Sequence, residues 1–81
     1  MIAKFGIGDR AGALADAEKA VQIKPNDPEY LQLLGLALYE NGKKAEAIKY
    51  LQQAVTLYPQ QGNTTEAQRT AATIQQIQQQ R

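Results

Sequence analysis

Side chains suited to catalysis are scarce in this chain, and the missing types exclude most enzyme sites. The 81 residues include no His and no Cys, so the chain has neither an imidazole base nor a thiolate nucleophile or metal ligand. Asp16 and Glu18 lie two residues apart, a spacing that directs two carboxylates to different sides of a helix. The run GIGDRAG shares only its glycines with a dinucleotide-binding loop, because no strand precedes it. We therefore predict a protein without catalytic activity, cofactor or metal ion.

Charge and hydropathy argue against two further classes of partner. Nine Lys and Arg oppose eight Asp and Glu, and they form no basic block of the kind that binds nucleic acid. The longest uncharged apolar run, YLQLLGLALY, is far shorter than the roughly 20 residues that a membrane-spanning helix needs. The N-terminal MIAKFGIG lacks the apolar centre of a signal peptide. We expect no nucleic acid and no membrane insertion, and a soluble protein that is cytoplasmic by default.

The remaining residues are arranged as helices. No stretch shows the two-residue alternation of a half-buried strand, whereas apolar and small residues recur at spacings of three and four. We predict helices over Asp9 to Ile23, from Pro28 to the ENGK turn at 40–43, over Lys44 to Leu57, and from near Asn63 to the C-terminus. Short loops between them make neighbouring helices antiparallel. The predicted fold is all-α, an antiparallel helix-turn-helix stack.

Local signals mark where these helices begin and end. Asp27 can accept hydrogen bonds from the first amides of a helix, and Pro28 at the first position gives up no donor that the helix needs. Gly42 can adopt the left-handed conformation that ends a helix. Asn63 is expected to cap the last helix, with Glu66 reaching back from three residues later.

Each predicted helix has a stripe of apolar or small residues that we expect to face the stack. The stripes are Ala13, Ala17 and Ala20; Leu31, Leu34 and Leu38; Ala47, Leu51 and Ala54; and Ala67, Ala71, Ile74 and Ile77. Gly35 lies inside the second helix, where Gly costs about 1 kcal/mol relative to Ala. It either marks a place where another helix presses in or is a tolerated accident of sequence, and the recurrence of small residues favours the first interpretation.

The chain repeats itself with a period of 34 residues. Residues 2–25 align without a gap on residues 36–59, and the first copy has the same residue as the second at Ala3, Gly8, Ala11, Ala13, Ala20, Val21 and Pro25. Over residues 28–61 the sequence resembles the tetratricopeptide repeat, a 34-residue helix-turn-helix unit. The signature positions are occupied by Leu31, Leu34, Gly35, Leu38, Gly42, Ala47, Leu51, Ala54 and Pro59.

The resemblance divides a single domain, residues 1–81, into three parts. Residues 28–61 form the complete repeat, and residues 1–27 are similar to positions 8–34 of a preceding repeat. Residues 62–81 depart from the pattern, since Gln68 and Arg69 stand where the motif has Leu-Gly. This last part resembles the extra capping helix that closes such arrays.

The resemblance also implies a function, a scaffold or adaptor that binds a peptide or protein segment in a groove lined by the first helix of each repeat. The groove positions fall on Glu29, Gln32, Leu36, Tyr39 and Glu40, on Ile2 and Phe5 of the partial repeat, and on Glu66, Thr70 and Thr73 of the last helix. Tyr39 suits either a binding anchor or ordinary packing. Glu29 and Glu40 either favour a basic or neutral ligand or are ordinary solvated charges. The clamp that grips a C-terminal carboxylate in some relatives is absent.

The first repeat starts at its eighth position, which leaves two explanations open. The chain is either a fragment of a longer array, or a complete protein in which something else covers the face of the missing half-helix. In the second case we expect self-association into a homo-oligomer through an incompletely shielded N-terminal edge. The residues expected at this edge are Phe5, Leu14, Val21, Leu31 and Leu34.

Overall fold

Four helices in the predicted order make up the described chain. The computed structural model describes residues 8–79, with α1 at Gly8–Ile23, α2 at Pro28–Glu40, α3 at Lys44–Leu57 and α4 at Thr64–Gln79. One turn of 3-10 helix, Pro59–Gln61, joins α3 to α4, and no strand occurs within residues 8–79. Each helix packs against the next one along the chain. The all-α prediction is confirmed.

The start of α2 is capped as the sequence predicts. The Asp27 carboxylate accepts hydrogen bonds from the backbone amides of Glu29, at 2.9 Å, and of Tyr30, at 3.4 Å. Pro28 is the first residue of the helix. These bonds satisfy donors that have no partner inside the helix, and a cap of this kind is worth about 1 kcal/mol.

Two features end α2. Gly42 has a φ of 82°, the left-handed conformation that glycine adopts without steric cost. The Asn41 side-chain amide donates to Ala37 O at 2.8 Å and to Arg10 O, in α1, at 3.0 Å. Asn41 therefore fixes the end of α2 and also connects it to the first turns of α1.

Gly62 makes the second left-handed turn, before α4. Its φ is also 82°, and Tyr58 O accepts from the backbone amide of Asn63 at 2.9 Å. The amide of Ala67 then donates to Asn63 O at 3.1 Å, so α4 begins where it was expected. Capping of α4 by the Asn63 side chain, with Glu66 reaching back, stays a prediction.

The core lies where α2, α3 and α4 meet. The predicted stripes of these helices are buried at Leu31, Leu34, Leu38, Ala47, Leu51, Ala54, Ala67, Ile74 and Ile77, while Ala71 is half-buried. Since α3 packs against both α2 and α4, its whole stripe is inaccessible to solvent. Helix α2 therefore packs against both α1 and α3, and one of its faces stays exposed.

The inner stripe predicted for α1 is partly wrong. Ala17 is fully buried, but Ala20 is only half-buried and Ala13 is exposed. The physical reason is the number of close neighbours, since among the described helices α1 packs mainly against α2, whereas α3 packs against both α2 and α4. A single neighbour buries one narrow line of a helix, and Ala17 lies on that line.

Gly35 marks the close approach that the sequence predicted. A Cβ atom built on Gly35 would lie 2.7 Å from Leu51 Cγ and 3.0 Å from the backbone oxygen of Ala47. The first distance is shorter than real Cβ contacts, and the second is tight and involves a backbone atom, which cannot rotate away as a side chain can. Glycine at this position therefore allows α2 and α3 to pack at their observed separation.

Candidate peptide-binding surface

The open side of α2 presents two leucines between two glutamates. Glu29, Leu33, Leu36 and Glu40 follow one another at spacings of four, three and four, so they lie along one face of the helix. Leu33 is 51% exposed and Leu36 is 36% exposed, and both glutamates are exposed. We call these four residues the α2 outer stripe.

The stripe contains three of the predicted groove residues and one that the sequence analysis missed. Glu29, Leu36 and Glu40 were expected in the groove, whereas Leu33 was not. Leu33 lies on the side of α2 opposite the buried Leu31, Leu34 and Leu38. The sequence alone does not single out Leu33, because it stands within a continuous apolar run in which every leucine can be assigned to the core.

Gln32 lies beside the stripe and is held by the fold. It is half-buried, and its Oε1 accepts a hydrogen bond of 2.5 Å from the hydroxyl of Tyr58, which is 1% exposed. The bond joins α2 to the residue that follows α3, and it fixes the direction of the Gln32 side chain. A buried phenol hydroxyl usually forms a hydrogen bond inside the protein, and Gln32 is its partner here. The bond therefore contributes to the fold.

Tyr39 lies on the same flank of α2, seven residues or about two turns further along. It is half-buried and packs against two core clusters, one that includes Leu38 and Ala47 and one that includes Leu51 and Ile74. The structure therefore agrees with the packing interpretation of Tyr39. Its role as a binding anchor stays a prediction.

Thr70 was wrongly assigned to the groove. Its side chain is completely buried, and its hydroxyl has no hydrogen-bond partner within the described residues. The 34-residue period would carry the buried positions of α2 to 65, 68 and 72 of α4, but the buried residues are 67, 70 and 74. The inner face of α4 thus falls two residues late, which turns Thr70 toward α3.

The predicted self-association edge is contradicted at two of its five residues. Leu31 and Leu34 are only 2% and 4% exposed, since Leu31 is covered by Tyr58 and its neighbours and Leu34 by Ala17 and its neighbours. Leu14 and Val21 are half-buried. Of the remaining predicted positions, Phe5 and Ile2 lie outside the described residues. The large apolar side chains that are exposed within residues 8–79 are Ile23, Leu33 and Leu36.

Negative charge is concentrated around α2. The helix contains Glu29 and Glu40 and no Lys or Arg, and Asp27 precedes it. Burial raises the pKa of the Tyr58 hydroxyl, and the nearby carboxylates of Glu29, Glu66 and Asp27 raise this pKa further. Acidic groups from α2 and α4 therefore act on the same region, beside the start of the stripe.

The basic residues of the described chain lie outside α2, and three of them lie on or next to α3. Lys43 and Lys49 are exposed on and just before α3, and Lys49 lies 5.8 Å from the centre of the Tyr50 ring. Lys43 precedes α3 and Lys49 lies within it, so neither lysine belongs to the α2 outer stripe. The α2 helix therefore carries acidic side chains without basic ones, whereas α3 carries Lys44 and Lys49 together with Glu46.

Besides the α2 outer stripe, the described chain has an open cleft of about 350 Å³. It is lined by Glu18, Val21, Gln22, Leu34 and Tyr50. These residues belong to α1, to α3 and to the inner side of α2, so the cleft opens away from the α2 outer stripe.

No group of three acidic residues in the described part of the chain could hold a metal ion. No described helix is long and apolar enough to cross a membrane.

Comparison with known proteins supplies the family. Residues 28–61 match the family model described as tetratricopeptide repeat. The chain is similar to the TPR repeat-containing protein PA4667 of Pseudomonas aeruginosa, with 36% identity over 59 residues. The aligned region covers 68% of this chain and 10% of that relative, so the chain spans about a tenth of the relative's length. No solved structure matches the chain.

Proposed function

The chain belongs to the tetratricopeptide repeat family through residues 28–61, and from that premise we propose that it binds a peptide or protein segment on the α2 outer stripe. Tetratricopeptide repeats generally mediate protein-protein interaction and are typically not catalytic. The observation that carries the proposal is the exposed pair Leu33 and Leu36 between two carboxylates. The proposed role of the chain is therefore that of an adaptor or scaffold with a protein partner.

Exposed leucines alone would be a weak argument, because folded proteins expose much apolar surface. Here the two leucines are neighbours on one face of a helix, and burial of both would remove apolar surface from water at about 25 cal/mol per Å². The polar ends of the stripe limit its apolar area and give a partner a defined register. A small apolar centre with a polar rim is the usual composition of a protein interface.

The support of α2 also suits a binding surface. The helix is capped at Asp27, joined to α1 through Asn41, pressed against α3 at Gly35 and bonded to Tyr58 through Gln32. A surface that is already ordered loses little conformational entropy when a partner binds, which leaves more of the contact energy for affinity.

The experiment is amide chemical-shift mapping on isotope-labelled protein. Proteins captured from a lysate of the native source are identified, and each is expressed and titrated into the labelled chain. Shifts centred on Glu29, Leu33, Leu36 and Glu40 would support the proposal. Shifts confined to the lysine-bearing surface around Lys43 and Lys49 would contradict it, because that surface lies on the other helix of the repeat.

Self-association is the second candidate, and the exposure of α1 favours it. Ile23 is 73% exposed and Ala13 is exposed, while Leu14 is half-buried along the same helix. A second copy that packed on α1 would cover these residues. Light scattering coupled to size exclusion tests it, since a species of 8.9 kDa that is unchanged at high concentration would exclude a homo-oligomer.

A further inference from the structure

The charges of the α2 outer stripe specify the chemistry of its partner. Resting on the proposed function, we infer that the partner is a cationic amphipathic helix that lays two adjacent apolar side chains on Leu33 and Leu36 and a Lys or Arg beside Glu29 and beside Glu40. The inference concerns which protein segment the stripe selects, and each part of it follows from the distribution of charge and apolar surface on α2.

Both carboxylates of the stripe are available to a partner. Among the described residues the recorded ion pair joins Glu66 to Arg69, at 3.6 Å, and neither Glu29 nor Glu40 takes part in it. The helix that carries them has no basic residue of its own. Asp27 and Glu66 lie near the Glu29 end, and their carboxylates add to the negative potential there.

The spacing of the stripe sets the spacing of the partner. Glu29 and Glu40 are eleven residues apart, which is about 16 Å along a helix that rises about 1.5 Å per residue. A partner helix laid alongside α2 would match it with the pattern Lys-x-x-x-Leu-x-x-Leu-x-x-x-Lys. Each lysine then meets a carboxylate while the two leucines cover Leu33 and Leu36.

Other occupants fit this surface less well. An acidic segment would place like charges beside Glu29 and Glu40, which opposes association. A purely apolar segment would take the two carboxylates partly out of water without giving them partners. The α3 helix of a second copy would offer Lys43 and Lys49, but its apolar residues (Ala47, Leu51 and Ala54) are buried, and α1 offers Lys19 with a single exposed large apolar residue, Ile23. The described lysine surface therefore lacks the exposed apolar pair.

The test uses two synthetic helical peptides with the same Leu-x-x-Leu centre and a fluorescent label. One has Lys at both outer positions and the other has Glu. We expect the Lys peptide to bind the chain at least tenfold more tightly than the Glu peptide at low ionic strength, with an affinity that falls as salt is added. Fluorescence anisotropy measures both, and circular dichroism confirms that each protein variant is folded.

Paired protein variants locate the effect. Replacement of both stripe carboxylates, Glu29→Gln with Glu40→Gln, is expected to remove most of the difference between the two peptides. The control Glu46→Gln changes an exposed carboxylate on α3 and should leave the difference intact. Leu36→Ser should weaken the binding of both peptides equally, because it removes apolar contact area and leaves the charges unchanged.

Four outcomes would overturn the inference. If both peptides bind equally and Leu36→Ser weakens them, the stripe binds segments but does not select cations, and the proposed function survives alone. If the Lys peptide binds equally well after both glutamates are replaced, it binds elsewhere. If neither peptide binds at about millimolar concentration, the stripe does not take a cationic helix. If the chain self-associates and the double glutamine variant does not, the occupant is a second copy.

Discussion

Helices α1 and α3 are two copies of one sequence pattern in two different surroundings. Ala13, Ala17 and Ala20 of α1 correspond to Ala47, Leu51 and Ala54 of α3, 34 residues later. All three positions are buried in α3, whereas in α1 only Ala17 is. The difference shows that the pattern determines which side of a helix faces inward, while the number of packed neighbours determines how much of that side is buried.

The end of each helix repeats the contrast. Tyr58 follows α3 and is buried, with its hydroxyl bonded to Gln32, while the corresponding residue after α1 is Lys24, which is exposed. Leu57 is half-buried at the end of α3, and its counterpart Ile23 is 73% exposed. We therefore expect substitutions in α3 or on its neighbours to cost stability and equivalent changes in α1 to cost little.

The largest effect is expected from filling the contact between α2 and α3. Gly35→Leu would place side-chain atoms where Leu51 and the Ala47 carbonyl already lie, and should lower the free energy of unfolding by about 3 kcal/mol, against a gain in helix propensity below 1 kcal/mol. The control is Gly12→Ala in α1, where a Cβ meets no heavy atom within 4 Å and which should stabilise by up to about 1 kcal/mol. Urea unfolding measures both, and a Gly35→Leu protein as stable as the parent would show that α2 and α3 can separate freely.

A matched pair of leucines tests the contrast by removal. Leu51→Ala in α3 should cost about 2–3 kcal/mol, because it leaves a cavity at a fully buried site. Leu14→Ala in α1 removes the same atoms from a half-buried site and should cost about 1 kcal/mol. Thermal and urea unfolding give the two values. Equal losses would mean that α1 is as well enclosed as α3.

Tyr58 gives the end of α3 a dependence on pH. Because its pKa is raised in the folded state by burial and by neighbouring carboxylates, the phenol holds its proton more tightly when folded than when unfolded. The protonated phenol therefore stabilises the folded state. This stabilisation is fully present below the ordinary pKa of 10.0 and is lost as the pH rises through the raised pKa of the folded protein.

Tyr58→Phe removes both the titration and the bond to Gln32. It should cost about 1 kcal/mol at neutral pH and make unfolding less sensitive to pH above 10. Urea unfolding at a series of pH values measures both. An unchanged alkaline dependence in the variant would assign that dependence to other groups.

The smallest effect concerns α4, the helix that gives α3 its second neighbour. Thr70→Val should raise the stability by up to about 1 kcal/mol, because it replaces a buried hydroxyl that lacks a partner with a methyl group of the same size. Thr73→Val is the control on the same helix, since the Thr73 hydroxyl donates to Arg69 O at 3.1 Å. A loss of stability in Thr70→Val would show that the Thr70 hydroxyl is bonded in solution.

The sequence predicts the helices well because their signals are local. Asp27, Pro28 and Gly42 act on backbone within a few residues, and apolar spacing fixes the inner side of each helix. Gly35 could also be interpreted from sequence, since a glycine inside a helix needs a reason. These positions have in common that the responsible neighbours are close along the chain.

The site was predicted less well because it depends on residues that are distant along the chain. Thr70 was misplaced because the inner face of α4 falls two residues late, and the repeat period does not apply beyond Gly62. The hydrogen bond between Tyr58 and Gln32 joins residues that are 26 positions apart, and the sequence around either residue does not indicate its partner. Leu33 was missed since its exposure depends on which helices pack around α2.

The central claim, that the α2 outer stripe is the binding surface, can be tested by substituting two exposed aliphatic residues and comparing the effects on partner binding. Leu36→Ser removes an apolar side chain from the stripe, and Ile23→Ser removes a more exposed one from the end of α1. With a captured partner, isothermal titration calorimetry should show binding weakened about tenfold by Leu36→Ser and unchanged by Ile23→Ser, because one substitution lies inside the interface and the other outside it. Unchanged affinity in Leu36→Ser, with a loss in Ile23→Ser, would contradict the account and assign binding to α1.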